Sequence, residues 1–213
     1  MSRVLWRPGE DRIKNSNMYR FMNYINSRFN SNFTDYESLY GWSISNMPDF
    51  WGALWDFFGI ISSHPYDRVI DDETRMPGAK WFPGARLNFA ENLLRHSDDR
   101  TAIVFKGEGN APERITYRAL YNETSRLARS LREMGIKPGD RIAGFMPNMP
   151  ETVMAMLAAS SIGAVWSTCS PDFGVSMVLD RFGQINPRVL FASDGYWYKD
   201  KRYDSLEKIS SIV

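Results

Sequence analysis

The stretch SSIGAVWSTCSPDFG, residues 160–174, decides the fold. Its first residues read as the end of a helix that Gly163 closes, AVWSTC as a short apolar strand, and Ser170–Pro171 as the cap and first residue of the next helix. Helix, strand and helix in close succession make the repeating unit of a parallel α/β sheet. Open sheets of this kind hold ligands beyond the carboxyl ends of their strands. Trp166, Thr168, Cys169 and Ser170 stand there.

Outward from this stretch the pattern repeats. Upstream, TYRALYNETSRLARSLREMG (116–135) carries Leu120, Leu127, Leu131 and Met134 along a helical stripe and stops at Gly135. KPGD (137–140) is a turn, RIAGFMP (141–147) a strand, and Pro150 opens the helix PETVMAMLAASSI. Before these, TAIVFKGEGNAPERITY (101–117) reads as two strands joined by a Gly/Pro/Asn loop. Downstream, the helix opened at Pro171 ends before Pro187, and RVLFAS (188–193) is another strand.

Residues 1–100 have a different character. SNMYRFMNYINSRF (16–29) aligns Met18, Phe21, Met22, Ile25 and Phe29 behind an N-cap at Ser16. TDYESLYG (34–41) offers a capping box, Thr34 with Glu37, and a stop at Gly41. MPDFWGALWDFFG (47–59) is too apolar for a lone helix and needs a partner surface. The expected organisation is an aromatic-rich helical segment over residues 1–100 and an α/β domain over 101–213. At the far end, DSLEKISSIV (204–213) starts an amphipathic helix with Asp204 as N-cap and Glu207 three residues on, and the chain stops. That pattern predicts an exposed, half-written helix and a chain that is the N-terminal part of a longer protein.

Composition narrows the function classes. The 213 residues are 43% hydrophobic and 24% charged, an ordinary globular balance. A net charge of +1 gives no reason to expect nucleic acid as the partner. The first twenty residues are dense in charge, unlike a secretory signal, and the longest apolar run, residues 153–166, is shorter than the roughly 20 that span a bilayer. One cysteine, Cys169, cannot form an internal disulfide, so a cytoplasmic location is expected. Cys169 and Ser170 lack a histidine base: His64 and His96, the only two, lie in the N-terminal segment without metal-ligand neighbours. Ser170 then reads as a helix cap and Cys169 as core. A Gly-x-Gly-x-x-Gly fingerprint is absent after every predicted strand.

Three landmarks go beyond patterning: WFPGARLNFAENLL (81–94), ITYRALYNETSRLARSLREMGIKPGDRIAGFMPNMPE (115–151) and SIGAVWSTCSPDFG (161–174). Through them the chain resembles the N-terminal portion of the acyl-CoA synthetases of the adenylate-forming superfamily, and among these most closely the acetoacetyl-CoA synthetases. The resemblance implies an α/β fold: an N-terminal helical cap plus the first β-α-β units of the large domain. It also implies an acid–thiol ligase that makes an acyl-adenylate from ATP (with magnesium) and acetoacetate, then passes the acyl group to coenzyme A with loss of AMP. The acetyl- and propionyl-CoA synthetases are the alternative branch, and a non-catalytic nucleotide- or CoA-binding module of the same fold is the alternative class.

Enzymes of this kind use a Ser/Thr/Gly-rich phosphate loop ending in lysine. Neither KGEGNAP (106–112) nor GIKPGD (135–140) has that form, and the resemblance also implies a mobile C-terminal domain with a catalytic lysine that assists adenylation, so these 213 residues are expected to be inactive alone, their partner being the remainder of the polypeptide. Carried across by position, Trp166 and Thr168 would meet the adenine end of coenzyme A, and Lys199, Lys201 or Arg202, in the loop DGYWYKDKRYD (194–204), its 3′-phosphate. The competing roles are plain core for Trp166 and a solvated loop, balanced by Asp200 and Asp204, for the cations.

Overall fold

The computed structural model describes residues 5–108 and 111–213. The chain divides into two compact units between Leu87 and Asn88.

The first unit is helical. Its helices are α1 (Glu10–Lys14), α2 (Asn17–Phe29), α3 (Tyr36–Ser45) and α4 (Met47–Phe57). Ser16 caps α2 by accepting the Tyr19 N–H, as the sequence predicts. The cap of α3, however, is Asp35, not Thr34: the Asp35 carboxylate accepts from Ser38 at 2.8 Å. Gly41 does not stop that helix, which continues to Ser45; one glycine costs only about 1 kcal/mol, less than buried Leu39 and half-buried Trp42 gain on either side of it. Phe21, Met22, Ile25, Leu39 and Ala53 form the core, with Phe29, Trp42, Phe50 and Phe57 around them. Aromatic edges meet faces here, Phe21 on Phe57 at 5.2 Å between ring centroids. Met18, predicted on the inner stripe, is exposed.

The second unit carries the sheet. After α5 (Phe89–Leu93), strands β1 (Thr101–Phe105) and β2 (Glu113–Thr116) form the predicted antiparallel hairpin. Gly109 and Asn110 of its loop lie outside the described residues. Then follow α6 (Tyr117–Glu133), β3 (Arg141–Phe145), α7 (Pro150–Ser161), β4 (Val165–Cys169), α8 (Val175–Ile185) and β5 (Val189–Ala192). The three strands run parallel in the order β4-β3-β5. Gly135 and Gly163, at φ 77° and 76°, close α6 and α7 in the left-handed region that glycine enters without cost.

Alternation along the strands sorts the sheet into two faces. Ile142, Trp166, Val189 and Phe191 pack with Ala128 and Leu131 of α6 and Ala158 and Ala159 of α7. Ala143, Phe145, Cys169 and Leu190 pack with Val178 and Phe182 of α8. Met134, read as part of the α6 stripe, is exposed instead.

Three local expectations change. Ser170 and Pro171 form a turn, and α8 begins at Val175 behind Gly174. Beyond β5, the segment read as a loop is a second antiparallel hairpin, β6 (Gly195–Tyr198) with β7 (Lys201–Asp204). The last helix, α9 (Leu206–Ile212), starts behind Ser205, with the Asp204 carboxylate accepting the Leu206 N–H at 2.7 Å. It is not exposed on all sides: Ile209 and Ile212 pack against the cluster of Phe145, Cys169, Val178 and Phe182. Among the described residues, no helix is long and apolar enough to cross a membrane.

Candidate functional site at the carboxyl end of the sheet

Strands β3 and β4 align residue for residue, Gly144 beside Thr168 and Ile142 beside Trp166. The Trp166 indole lies over Gly144. A Cβ built there would be 2.6 Å from Cζ2 and 2.7 Å from Cη2 of the ring. On the far side the ring meets Phe191 at 6.0 Å between centroids. Trp166 is therefore half-buried and seated, its place made by the missing side chain of Gly144. Thr168 is exposed and donates its hydroxyl to the Gly144 carbonyl at 2.9 Å. Cys169, on the opposite face, is buried, and burial pushes its thiol pKa up, against the opposing charge of Arg181. A thiol so placed is a core residue, not an activated nucleophile.

The turn after β4 is fastened from two later elements. Asp172 accepts from the Ser170 hydroxyl at 3.2 Å and from the phenol of Tyr196 in β6. Burial first, and the Asp172 bond second, raise the Tyr196 pKa. Lys208 of α9 donates to the Pro171 carbonyl at 3.0 Å. Neither Asp172 nor Lys208 stood out in the sequence, because the ties that matter, to Tyr196 and to the Pro171 carbonyl, are distant along the chain.

The hairpin separates the predicted cations. Only Lys199 and Asp200 form its turn; Lys201 pairs across with Tyr198 and Arg202 with Trp197. Successive strand residues point to opposite faces, so Lys201 shares a face with Tyr198 and the stacked pair Tyr196–Tyr203, and Arg202 shares the other with exposed Trp197. The Lys199 ammonium lies 5.2 Å from the Tyr198 ring centroid, a cation–π contact.

Each unit carries a cavity among its described residues. One of about 380 Å3, on the α6/α7 face, is lined by Leu127, Met146, Met154 and Phe191 and rimmed by the ion pair of Arg126 with Glu123. The other, about 430 Å3, lies among α2, α3 and α4 and is lined almost wholly by apolar side chains such as Phe21, Leu39 and Phe50. It lacks the converging charged groups of a reaction site. No group of His, Cys, Asp and Glu able to hold a metal occurs among the described residues.

Comparison with known proteins adds a family. The model described as AMP-binding enzyme matches residues 89–212, and that described as acetyl-coenzyme A synthetase N-terminus matches residues 36–93. An acetoacetyl-coenzyme A synthetase of Rhizobium meliloti is 45% identical over 211 residues, covering 99% of this chain and 32% of that protein. One from Xenopus tropicalis is 43% identical, covering 100% of this chain and 32% of its own length. The solved structure of acetoacetyl-CoA synthetase from Streptomyces lividans matches with a TM-score of 0.91 at 39% identity, over 99% of this chain and 33% of that one. The chain thus spans about a third of the length of the relatives it matches.

Proposed function

The chain belongs to the AMP-binding enzyme family, and on that premise we propose that it is the N-terminal portion of an ATP-dependent acetoacetate–CoA ligase. The observation that carries this reading is the likeness, at 39% identity and over 99% of the chain, to a solved acetoacetyl-CoA synthetase. The whole reaction joins acetoacetate to coenzyme A with conversion of ATP to AMP and diphosphate. This portion contributes a wall of the coenzyme entrance; the phosphate loop and the catalytic lysine come from elsewhere in the polypeptide, and the portion alone does not turn over.

Within this reading the adenine end of coenzyme A meets Thr168 and the exposed part of Trp166, and its 3′-phosphate meets the turn of the β6–β7 hairpin. Exposure of Thr168, Lys199, Lys201 and Arg202 supports this. Because Lys201 and Arg202 point to opposite faces, Lys199 acts with only one of them on any single phosphate.

The test is an assay of the polypeptide that carries this chain, with ATP, magnesium, coenzyme A and a series of carboxylates, reading diphosphate and acyl-CoA. Acetoacetate should give the highest kcat/KM. Preference for acetate or propionate would move the assignment to that branch, and coenzyme binding with no diphosphate from any carboxylate would leave only the binding-module class.

A further inference from the structure

Lys199 and Asp200 both adopt left-handed φ, 52° and 60°. Two consecutive left-handed residues make the two-residue hairpin turn that Asn-Gly usually fills, so the chain places a costly pair here. The conformation aims adjacent backbone N–H groups at one point. Lys199 donates to Oε1 of Glu108 at 3.1 Å and Asp200 donates to Oε2 at 2.8 Å. Each carboxylate oxygen has one donor, the arrangement in which a backbone concavity holds an oxyanion. Glu108 comes from the β1–β2 loop, 91 residues before Lys199. Around it the turn carries Lys199, Lys201 and Arg202 against one carboxylate, Asp200.

We propose that Glu108 is the resident occupant of the backbone N–H groups of the β6–β7 turn and competes there with a phosphate monoester. That the phosphate is the 3′ group of coenzyme A rests on the function proposed above. A phosphate dianion accepts both N–H groups as the carboxylate does and has a third oxygen and a second charge for Lys199 and its neighbour. Glu108 is exposed, so releasing it to water costs little desolvation. Ligand arrival then displaces Glu108 from the hairpin turn. If Glu108 fills the turn about 70 to 90% of the time, its removal tightens phosphate-dependent binding roughly three- to tenfold, because apparent affinity scales with the competent fraction.

The experiment titrates coenzyme A and 3′-dephospho-coenzyme A into the polypeptide carrying this chain, as wild type, Glu108→Ala, Glu108→Gln and the charge control Glu113→Gln, another exposed acid on β2. The expected result is a gain for coenzyme A in both Glu108 variants, none for the dephospho form, and none in the control. Hydrogen exchange at Lys199 and Asp200 should quicken in the Glu108 variants and slow again with coenzyme A bound. A gain equal for both ligands, an equal gain in the control, or no gain in either Glu108 variant would overturn the competition while leaving the coenzyme reading standing. If wild type binds the two ligands equally, the phosphate assignment itself falls, and the proposal with it.

Discussion

Replacing Gly144 by alanine tests whether the Trp166 seat is built as described. The added Cβ would sit 2.6 and 2.7 Å from two indole carbons and 3.3 Å from the Thr168 hydroxyl oxygen. Carbon atoms pack best at about 3.5–4.0 Å, so the ring must withdraw by about 1 Å. Phe191 stands beside the ring, and β3 is the central strand, paired on both edges, so the strand cannot shift to relieve the contact and the indole must move. Overpacking of this kind costs about 1–3 kcal/mol, and the lost backbone freedom of glycine returns about 0.4–1 kcal/mol. The net expectation is a loss of about 1–2 kcal/mol. Trp166→Phe removes the clashing benzo carbons, at its own cost in buried area. In that background Gly144→Ala should cost close to nothing, giving a coupling of about 1–2 kcal/mol. Urea titrations of the four proteins, followed by circular dichroism at constant m, measure it. An equal cost in both backgrounds, or none in the wild type, would refute the seat.

Two other predictions concern titratable groups. Asp140 holds its carboxyl below the ordinary 3.8, first through the Lys137 N–H at 2.8 Å and second through Arg188. A depressed folded pKa contributes stability that is present above the unfolded value and lost as pH falls through the folded one. The stability gap between wild type and Asp140→Asn should therefore be full above 3.8 and close on further acidification; a gap independent of acid pH would contradict the bond pattern. Cys169, buried with a raised thiol pKa, should react with a thiol reagent at least about a hundredfold faster after unfolding than before, and equal rates would show that it is not core.

What the sequence made legible was whatever short-range chemistry decides. Gly135, Gly163 and Pro150 mark the ends of α6 and α7 and the start of α7, and with them the β-α-β alternation and the place of Thr168 and Cys169 at the carboxyl end of β4; Trp166, expected there too, is the second of the strand's five residues and reaches over Gly144 only through its indole. The start of α8 was misread because Ser170–Pro171 has the local signature of a cap and first turn. Its hydroxyl is instead engaged by Asp172, and the Pro171 carbonyl by Lys208, 37 residues on. The β6–β7 hairpin was missed for a related reason. Lys-Asp is a poor turn signal, and the carboxylate that satisfies its N–H groups comes from Glu108, beyond any local window. Likewise Gly144 gains its meaning only from strand register, which sets it beside Thr168 and under the Trp166 ring.

These long-range ties differ in kind, and the difference bears on how a ligand would be received. The turn after β4 is held by a half-buried phenol on Asp172 and by a part-buried ammonium on a backbone carbonyl, and its strand by a wedged indole. Asp172 is itself exposed, so water can replace its phenol, but loss of the Lys208 bond would leave a part-buried carbonyl and loss of the indole a void, so that wall yields less than the hairpin turn. The hairpin turn is held by an exposed carboxylate on exposed N–H groups, where water or another anion replaces either partner at small cost. A planar ring docked against Thr168 and Trp166 would thus meet a firmer surface, and an anion at Lys199–Asp200 an exchangeable one. Affinity would then respond to substitution of Glu108 through the anion alone, and to substitution of Gly144 only through displacement of the indole.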